Sequence, residues 1–159
     1  MSEDSTPEIP SVGRVAGIDF GTVRIGVAIT DPERILASPL ENYARRSPKI
    51  DRQYFEQLAR EERVALFVVG LPVHMSGDES GKSKEARKFG AWLKKITGVP
   101  VIYYDERFTT SIAKERLAGA GMTKQKRKQV LDKLAAQILL TAYLENPARA
   151  DAGLDALDD

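Results

Sequence analysis

The sequence predicts an α/β domain built on a mixed sheet, and three observations support this. Two apolar runs rich in β-branched residues flank a polar turn at residues 19–22, which is typical of a β-hairpin. An uninterrupted apolar run, VALFVV at residues 64–69, is typical of a strand covered on both faces, and therefore of a central parallel strand. The order of elements, β-β-β-α-β-α-β-α-α, joins an antiparallel meander to parallel strands.

The predicted hairpin spans residues 13–30 and places Asp19 at the end of its first strand. Gly21 in the turn permits a positive φ or the close approach of a substrate backbone, and Thr22 adds a hydroxyl. Asp and Gly are also common in turns without function, so these residues alone leave both interpretations open. We expect a third short strand at residues 35–37, which Pro39 limits because proline cannot donate a ladder hydrogen bond.

A helix and a strand follow the meander. Ser47 and Pro48 are typical of an N-cap and a first helical residue, and the helix is predicted to reach about residue 62. Its apolar residues recur every four positions, at Ile50, Tyr54 and Leu58. The strand at 64–69 comes next, and residues 73–83 show no periodicity and are predicted to form a surface loop.

The second half alternates helices with the last strand. A helix is predicted to stop at Gly98, a strand to occupy residues 99–104, and a helical run to occupy residues 112–119. Thr123 is a plausible cap for a final helix that ends near residue 146. Its expected buried stripe consists of Leu131, Leu134, Ile138 and Ala142.

Length and composition limit the possible classes. The 159 residues suit one domain, which we place at residues 13–146, between acidic tails at 1–12 and 147–159 that are expected to be disordered. The chain has no cysteine, which excludes disulfides, thiolate zinc sites and cysteine nucleophiles and is compatible with a cytoplasmic location. No export signal and no membrane span is expected.

The formal net charge of +1 conceals an uneven distribution. Residues 1–11 and 148–159 each carry a net charge of −3, so the body between them carries +7. A basic body suggests a polyanionic partner, although the surface lysines of many proteins give a similar count. The residues expected to contact nucleic acid are Gly21, Thr22, Arg24, Lys82, Lys84, Thr109, Lys124, Arg127 and Lys128.

Three carboxylates stand at positions from which they could converge. Asp19 ends the first strand, Glu106 ends the last, and Asp132 lies on the final helix with two alanines at i+3 and i+4 on its face. If the helix packs across the ends of neighbouring strands, the repulsion between the carboxylates calls for divalent cations. Oxygen-only ligands favour Mg²⁺ or Mn²⁺ over zinc. Taken singly, each acid is equally typical of a solvated or capping carboxylate.

Arg107 follows Glu106 and suits the charge that develops on a phosphoryl group, or else an ion pair with Glu106 or Asp105. His74 is the only histidine, and a lone loop histidine is more often a surface residue than a general base.

Four motifs, in this order, resemble the YqgF/RuvX family, nucleases of pre-16S ribosomal RNA processing that are related to the RuvC Holliday junction resolvases. They are IDFGTVRIGVAIT, VVGLP followed by Met75 and Gly77, YYDERFTT, and Asp132 before an Ala-Ala pair. The resemblance covers about residues 13–146. It implies an RNase H-like fold, a five-stranded mixed sheet with helices on both faces, and it implies that Asp19, Glu106 and Asp132 form an acidic triad.

One departure separates this chain from the RuvC resolvases. There the second acid lies on the strand corresponding to residues 64–69, whereas here that strand ends in Gly70-Leu71-Pro72 and the acid comes one strand later. The choice between Asp105 and Glu106 as a metal ligand therefore stays open. Whether this chain shares the junction-resolving activity of the RuvC resolvases stays open as well.

The leading hypothesis is a metal-dependent endonuclease with two Mg²⁺ or Mn²⁺ ions, which processes the 5′ end of pre-16S rRNA in ribosome biogenesis. Its expected partners are nucleic acid and a ribosome precursor, and the chain is expected to be a monomer or a homodimer. The alternatives are a Holliday junction resolvase and a non-catalytic nucleic-acid-binding assembly factor. An ATP-binding module of the actin and sugar-kinase type would need a second lobe, which one domain of this length cannot supply.

Overall fold

The computed structural model describes residues 9–72, 81–109 and 121–150. Five strands form one sheet in the order β3-β2-β1-β4-β5. Pairing is antiparallel between β1 and β2 and between β2 and β3, and parallel between β1 and β4 and between β4 and β5. The mixed sheet predicted from the sequence is thereby confirmed. The strands are β1 (Arg14–Asp19), β2 (Arg24–Thr30), β3 (Ala37–Ala44), β4 (Val64–Leu71) and β5 (Val101–Asp105).

Helices cover both faces of the sheet, because the side chains of the buried strand β4 alternate between two cores. Phe67 and Val69 pack in a core with Phe55 and Leu93 from one pair of helices. Leu66 and Val68 pack in the other with residues of the last helix. The helices are α1 (Pro48–Glu61), α2 (Gly81–Thr97), α3 (Lys124–Lys133) and α4 (Ala135–Glu145).

The predicted third strand was wrong in both position and length. Strand β3 begins at Ala37 and continues through Pro39, whereas Ile35 and Leu36 lie before it and are 69% and 70% exposed. Their N–H groups donate to the Asp31 carboxylate at 2.9 and 2.8 Å, which turns the chain ahead of the strand. Pro39 is tolerated because β3 is an edge strand and the register shifts beside it.

The predicted start of α1 is confirmed, and its predicted apolar face is confirmed at Tyr54 and Leu58 but wrong at Ile50. Ser47 caps the helix by accepting from the N–H of Ile50 at 3.2 Å. Ile50 itself is 43% exposed, while Phe55 and Asp51 are buried. An aspartate can occupy this buried position because the Tyr43 hydroxyl donates to its carboxylate at 2.7 Å and the Arg46 N–H at 2.8 Å.

The predicted final helix is divided in two. Thr123 caps α3 as predicted, but the helix ends at Lys133, and Leu134, with φ −100° and ψ 5°, separates it from α4. Ile138 and Ala142 are buried on α4, whereas α3 buries none of its residues. The division therefore separates an anchored helix from one that lies on the surface.

Other predicted boundaries differ by a few residues or lie outside the described residues. Helix α2 begins at Gly81, so the end of the predicted 73–83 loop is helical, and its predicted stop at Gly98 is confirmed. The predicted helix at 112–119 and His74 fall outside the described ranges, as do residues 1–8 and 151–159 of the predicted disordered tails. Pro147–Arg149 form a 3₁₀ turn, and the guanidinium of Arg149 lies 4.7 Å from the Phe108 ring centroid.

None of the helices in the described ranges combines the length and the apolar character needed to cross a membrane.

The packing of α4 on the sheet predicts a sharp response at Gly17. A methyl group added there would lie 3.0 Å from the Leu140 Cβ and 3.1 Å from the Ala136 carbonyl oxygen. We expect Gly17→Ala to lower the free energy of unfolding by about 1–3 kcal/mol in urea titration, because the backbone of α4 must shift. Gly81→Ala is the matched control, since a methyl group there meets nothing within 4 Å among the residues that the structure describes. Equal stability of the two variants would contradict this packing.

Candidate active site

Asp19 lies at the end of β1, where the chain leaves the sheet for the hairpin turn. The residue pairs with Gly26 across the hairpin, and the preceding Ile18 is fully buried. In the turn, the Arg24 carbonyl occupies the space that a side chain at Gly21 would need. This glycine therefore permits the turn to close tightly beside Asp19, at a negative φ.

Glu106 lies just after β5 and reaches toward the neighbouring strand β4. It begins a 3₁₀ turn, Glu106–Phe108. A methyl group added at Gly70, near the end of β4, would lie 2.6 Å from Glu106 Oε2. The absence of a side chain at Gly70 therefore makes the room that the Glu106 carboxylate occupies.

Asp105 and Arg107 engage each other. The Asp105 carboxylate accepts from the Arg107 backbone N–H at 2.8 Å and from the guanidinium, at 2.6 Å from Nη2 and 2.9 Å from Nε. Asp105 thus caps the 3₁₀ turn while Glu106 faces the cavity. Of the two interpretations of Arg107, the ion pair with Asp105 is the one present in this structure.

A cavity of about 220 Å³ brings the three predicted carboxylates together. Asp19 and Glu106 contribute from the strand ends, and Asp132 contributes from α3, next to the helix break. We call this the acidic cavity; its wall is completed by Thr109, Leu131, Ala135, Ile138 and Leu139. The Thr109 hydroxyl donates to the Glu106 carbonyl at 2.7 Å, which holds this predicted residue at the cavity.

The electrostatics of the acidic cavity are unfavourable for negative charge. Burial, and secondly the charge of Asp132, raise the pKa of Asp19 from its ordinary 3.8 to about 6. A cation in the cavity would reverse this effect, because it favours the ionised form.

The donor chemistry of the acidic cavity fits a hard divalent cation, since all three predicted ligands offer carboxylate oxygens. In residues 9–72, 81–109 and 121–150, no three Asp, Glu or His side chains lie close enough together to hold one ion as they stand. For one ion to be held by all three, the carboxylates would have to move closer together, and of the three Asp132 is on an exposed position.

The residues predicted to contact nucleic acid fall into three groups, and Thr109, at the acidic cavity, is alone in the first. Gly21, Thr22 and Lys82 line a cleft of about 350 Å³ that also includes Asp19 and Glu106. We call this the adjoining cleft. The exposed residues Arg24, Lys84, Lys124 and Lys128, and the half-buried Arg127, line neither the acidic cavity nor the adjoining cleft.

Sequence reasoning missed several residues of this region. Gly70 makes room for Glu106, Pro72 and Glu85 line the adjoining cleft, and Phe20 lies between the cleft and a further pocket. The sequence offered a signal for Gly70, because a glycine at the end of a strand that is predicted to be central indicates a close approach by a neighbouring group. Glu85 carried none, since an acidic residue early in a helix is typical of a solvated position.

The raised pKa of Asp19 predicts that this residue destabilises the metal-free protein at neutral pH. Because the pKa of Asp19 is higher in the folded than in the unfolded protein, ionising this carboxyl lowers the free energy of unfolding. This loss is small near about pH 4, grows as the pH rises to about 6, and above that reaches at most about 3 kcal/mol. In EDTA, we expect Asp19→Asn to be more stable than wild type in urea at about pH 8 and nearly equal at about pH 4.

Asp31→Asn is the control of opposite sign. Hydrogen bonds from backbone N–H groups, that of Leu36 foremost, lower the pKa of Asp31. Its stabilising effect is present above the unfolded pKa, so this variant should be less stable than wild type at neutral pH. An Asp19→Asn variant that is no more stable at about pH 8 would contradict the electrostatics described here.

Comparison with known proteins agrees with the fold described above and shows which family the chain belongs to. RuvC from Thermus thermophilus, solved with a Holliday junction substrate, superimposes with a TM-score of 0.52 over 87% of this chain and 98% of its own, at 15% identity. This likeness shows the RNase H-like fold that the motifs implied.

Sequence relatives are much closer. A protein of Rhodopirellula baltica named "Putative pre-16S rRNA nuclease" is 55% identical over 136 residues, covering 86% of this chain and 79% of the relative. A protein of the same name from Koribacter versatilis is 38% identical, covering 84% and 87% of the two chains. The RuvX family profile, described as a Holliday junction resolvase, matches residues 13–146. The chain therefore belongs to the RuvX family.

Proposed function

We propose that this chain is a metal-dependent endonuclease that processes the 5′ end of pre-16S rRNA in the cytoplasm. The observation that carries the proposal is the acidic cavity, which Asp19, Glu106 and Asp132 line from two strand ends and a helix. The names of the relatives support the substrate, and the net charge of +7 on residues 12–147 supports a polyanionic partner.

In this proposal, Asp19, Glu106 and Asp132 are the ligands of Mg²⁺ or Mn²⁺. Bound divalent cations would supply positive charge for the attacking and leaving oxygens of an in-line displacement at phosphorus. Asp19 lines both the acidic cavity and the adjoining cleft, so its carboxylate borders the proposed metal site and the proposed path of the strand. Gly70 keeps the Glu106 carboxylate free of a steric clash from β4.

Arg107 is proposed to serve the charge on the reacting phosphate. Arg107 directly follows Glu106 in the chain, and its guanidinium is paired with the Asp105 carboxylate. The pairing also gives Asp105 a positioning role, which distinguishes it from the proposed ligand Glu106. Lys82 and Thr22 in the adjoining cleft are proposed to hold a flanking phosphate.

Junction resolution is the second candidate, because the description of the RuvX family and the RuvC fold both favour it. The acidic cavity serves either reaction, since both cleave a phosphodiester. A non-catalytic assembly factor would use the basic surface alone and would leave the convergence of three acids without a role.

The proposal predicts different consequences for two adjacent acids. Glu106→Gln should lower metal-dependent cleavage by at least about 100-fold, because it removes a charge from the acidic cavity. Asp105→Asn keeps the cavity intact and should cost much less, mainly through the orientation of Arg107. The measurement is single-turnover cleavage of an RNA containing the pre-16S 5′ region with Mg²⁺ or Mn²⁺. A larger defect in Asp105→Asn would reverse the ligand assignment.

The substrate assignment is tested on a panel at fixed salt: a pre-16S RNA fragment, unrelated single-stranded RNA, duplex RNA and a four-way DNA junction. We expect cleavage of the pre-16S fragment to be fastest. Asp19→Asn, confirmed as folded by circular dichroism, is the control for contaminating nucleases and should be inactive on every substrate. Symmetric cleavage of the junction alone would favour the second candidate.

A further inference from the structure

A pocket of about 380 Å³ lies beside the adjoining cleft, on the side away from the acidic cavity. Its aromatic surface comes from Phe20, Phe89 and Trp92, and we call it the aromatic pocket. We propose that it binds one unpaired nucleobase of the substrate strand, on the far side of the adjoining cleft from the phosphodiester that is cleaved. This inference rests on the proposed function and adds to it that the enzyme reads a single-stranded segment.

The three cavities lie side by side in a row, because neighbouring ones share wall residues. Phe20, Thr22 and Glu85 line both the aromatic pocket and the adjoining cleft. Asp19 and Glu106 line both the adjoining cleft and the acidic cavity. A strand whose reacting phosphate lies at the acidic cavity can therefore extend through the cleft and place a base in the aromatic pocket.

The geometry of the aromatic side chains suits a stacked base. Phe20 and Phe89 lie 4.9 Å apart with their rings inclined by 34°, and Phe89 and Trp92 lie 5.4 Å apart at 40°. Phe89 is buried, while Phe20 and Trp92 are half-buried and keep exposed surface. Stacking on such rings accepts any base, since every base has a π face.

The charged residues of the aromatic pocket favour a base inside the pocket and a phosphate group at its rim. The Arg45 guanidinium lies 5.3 Å from the Phe20 centroid, and its Nε is 3.4 Å from the Asp51 carboxylate, which fixes its position. Lys88 is exposed and supplies a second cation. The carboxylate of Glu85 repels phosphate but can accept a hydrogen bond from a base amino group. A base in a duplex cannot enter, because its neighbours already stack on it.

Trp92 is the only tryptophan of the chain, so its fluorescence reports on this pocket directly. The full-length protein is titrated in EDTA with a single-stranded RNA oligonucleotide, with its blunt duplex, and with an abasic strand of equal length. We expect saturable quenching of the Trp92 fluorescence by the complete single strand, and none by the duplex or the abasic strand. Fluorescence polarisation of labelled strands should show about ten-fold weaker binding of the abasic strand.

A thermodynamic cycle assigns the lost affinity to the aromatic pocket. Phe20→Ala should weaken binding of the complete single strand about ten-fold and leave binding of the abasic strand unchanged. Val23→Ala is the matched control, because Val23 is a 71% exposed apolar residue of the same turn that lines none of the three cavities. It should change neither affinity. Lys88→Ala should weaken binding of both strands, whereas Lys94→Ala, on an exposed position of the same helix, should not.

Two results would overturn the inference: equal quenching by duplex and single strand, or equal affinity for complete and abasic strands in the wild-type protein. The second comparison requires no variant, so it holds even if Phe20→Ala fails to fold. Failure of the proposed function looks different, since the strand would then bind and quench in EDTA yet remain intact when Mg²⁺ or Mn²⁺ is added. Cleavage without selective quenching would remove the subsite and leave the nuclease.

Discussion

The structure depends on the parallel pairing of β4 with β1 on one side and β5 on the other. In this register Ile18 lies beside Val69, and Leu71 lies beside Asp105, so the chain leaves β1 and β5 at the same edge of the sheet. Asp19 and Glu106 are brought to that edge by strands that are far apart in sequence. The buried side chains of β4 fix this arrangement, because each face of the strand packs into a separate core.

Local signals predicted the elements that depend on local physics. The run at 64–69 predicted β4, Ser47 and Thr123 predicted two helix caps, and the polar turn after Asp19 predicted the hairpin. Two predictions at positions where tertiary contacts decide, the third strand and the burial of Ile50, were wrong. The sequence alone could not place Asp51 in the interior, because its hydrogen-bond donors, Tyr43 and Arg46, come from outside the helix.

The candidate site shows the same division. Each acid could be picked out as the end of a strand or as the residue beside two alanines, and the family motifs named the same three. Which of Asp105 and Glu106 faces the cavity could not be predicted, because the answer depends on a 3₁₀ turn capped by one of them. The room at Gly70 could not be predicted either, since it exists only once β4 and β5 are paired.

The helix break at Leu134 makes the third carboxylate, that of Asp132, less firmly anchored to the core than the other two. Asp19 and Glu106 extend from strands whose loss would unfold the sheet, but Asp132 belongs to a helix that buries none of its own residues. Such a segment can open at a small fraction of the global unfolding free energy. Formation of the core and assembly of the complete acidic site are therefore energetically separate events. The sheet can therefore fold while the acidic site is still incomplete. A ligand that neutralises the charge of the carboxylates would then favour the complete site.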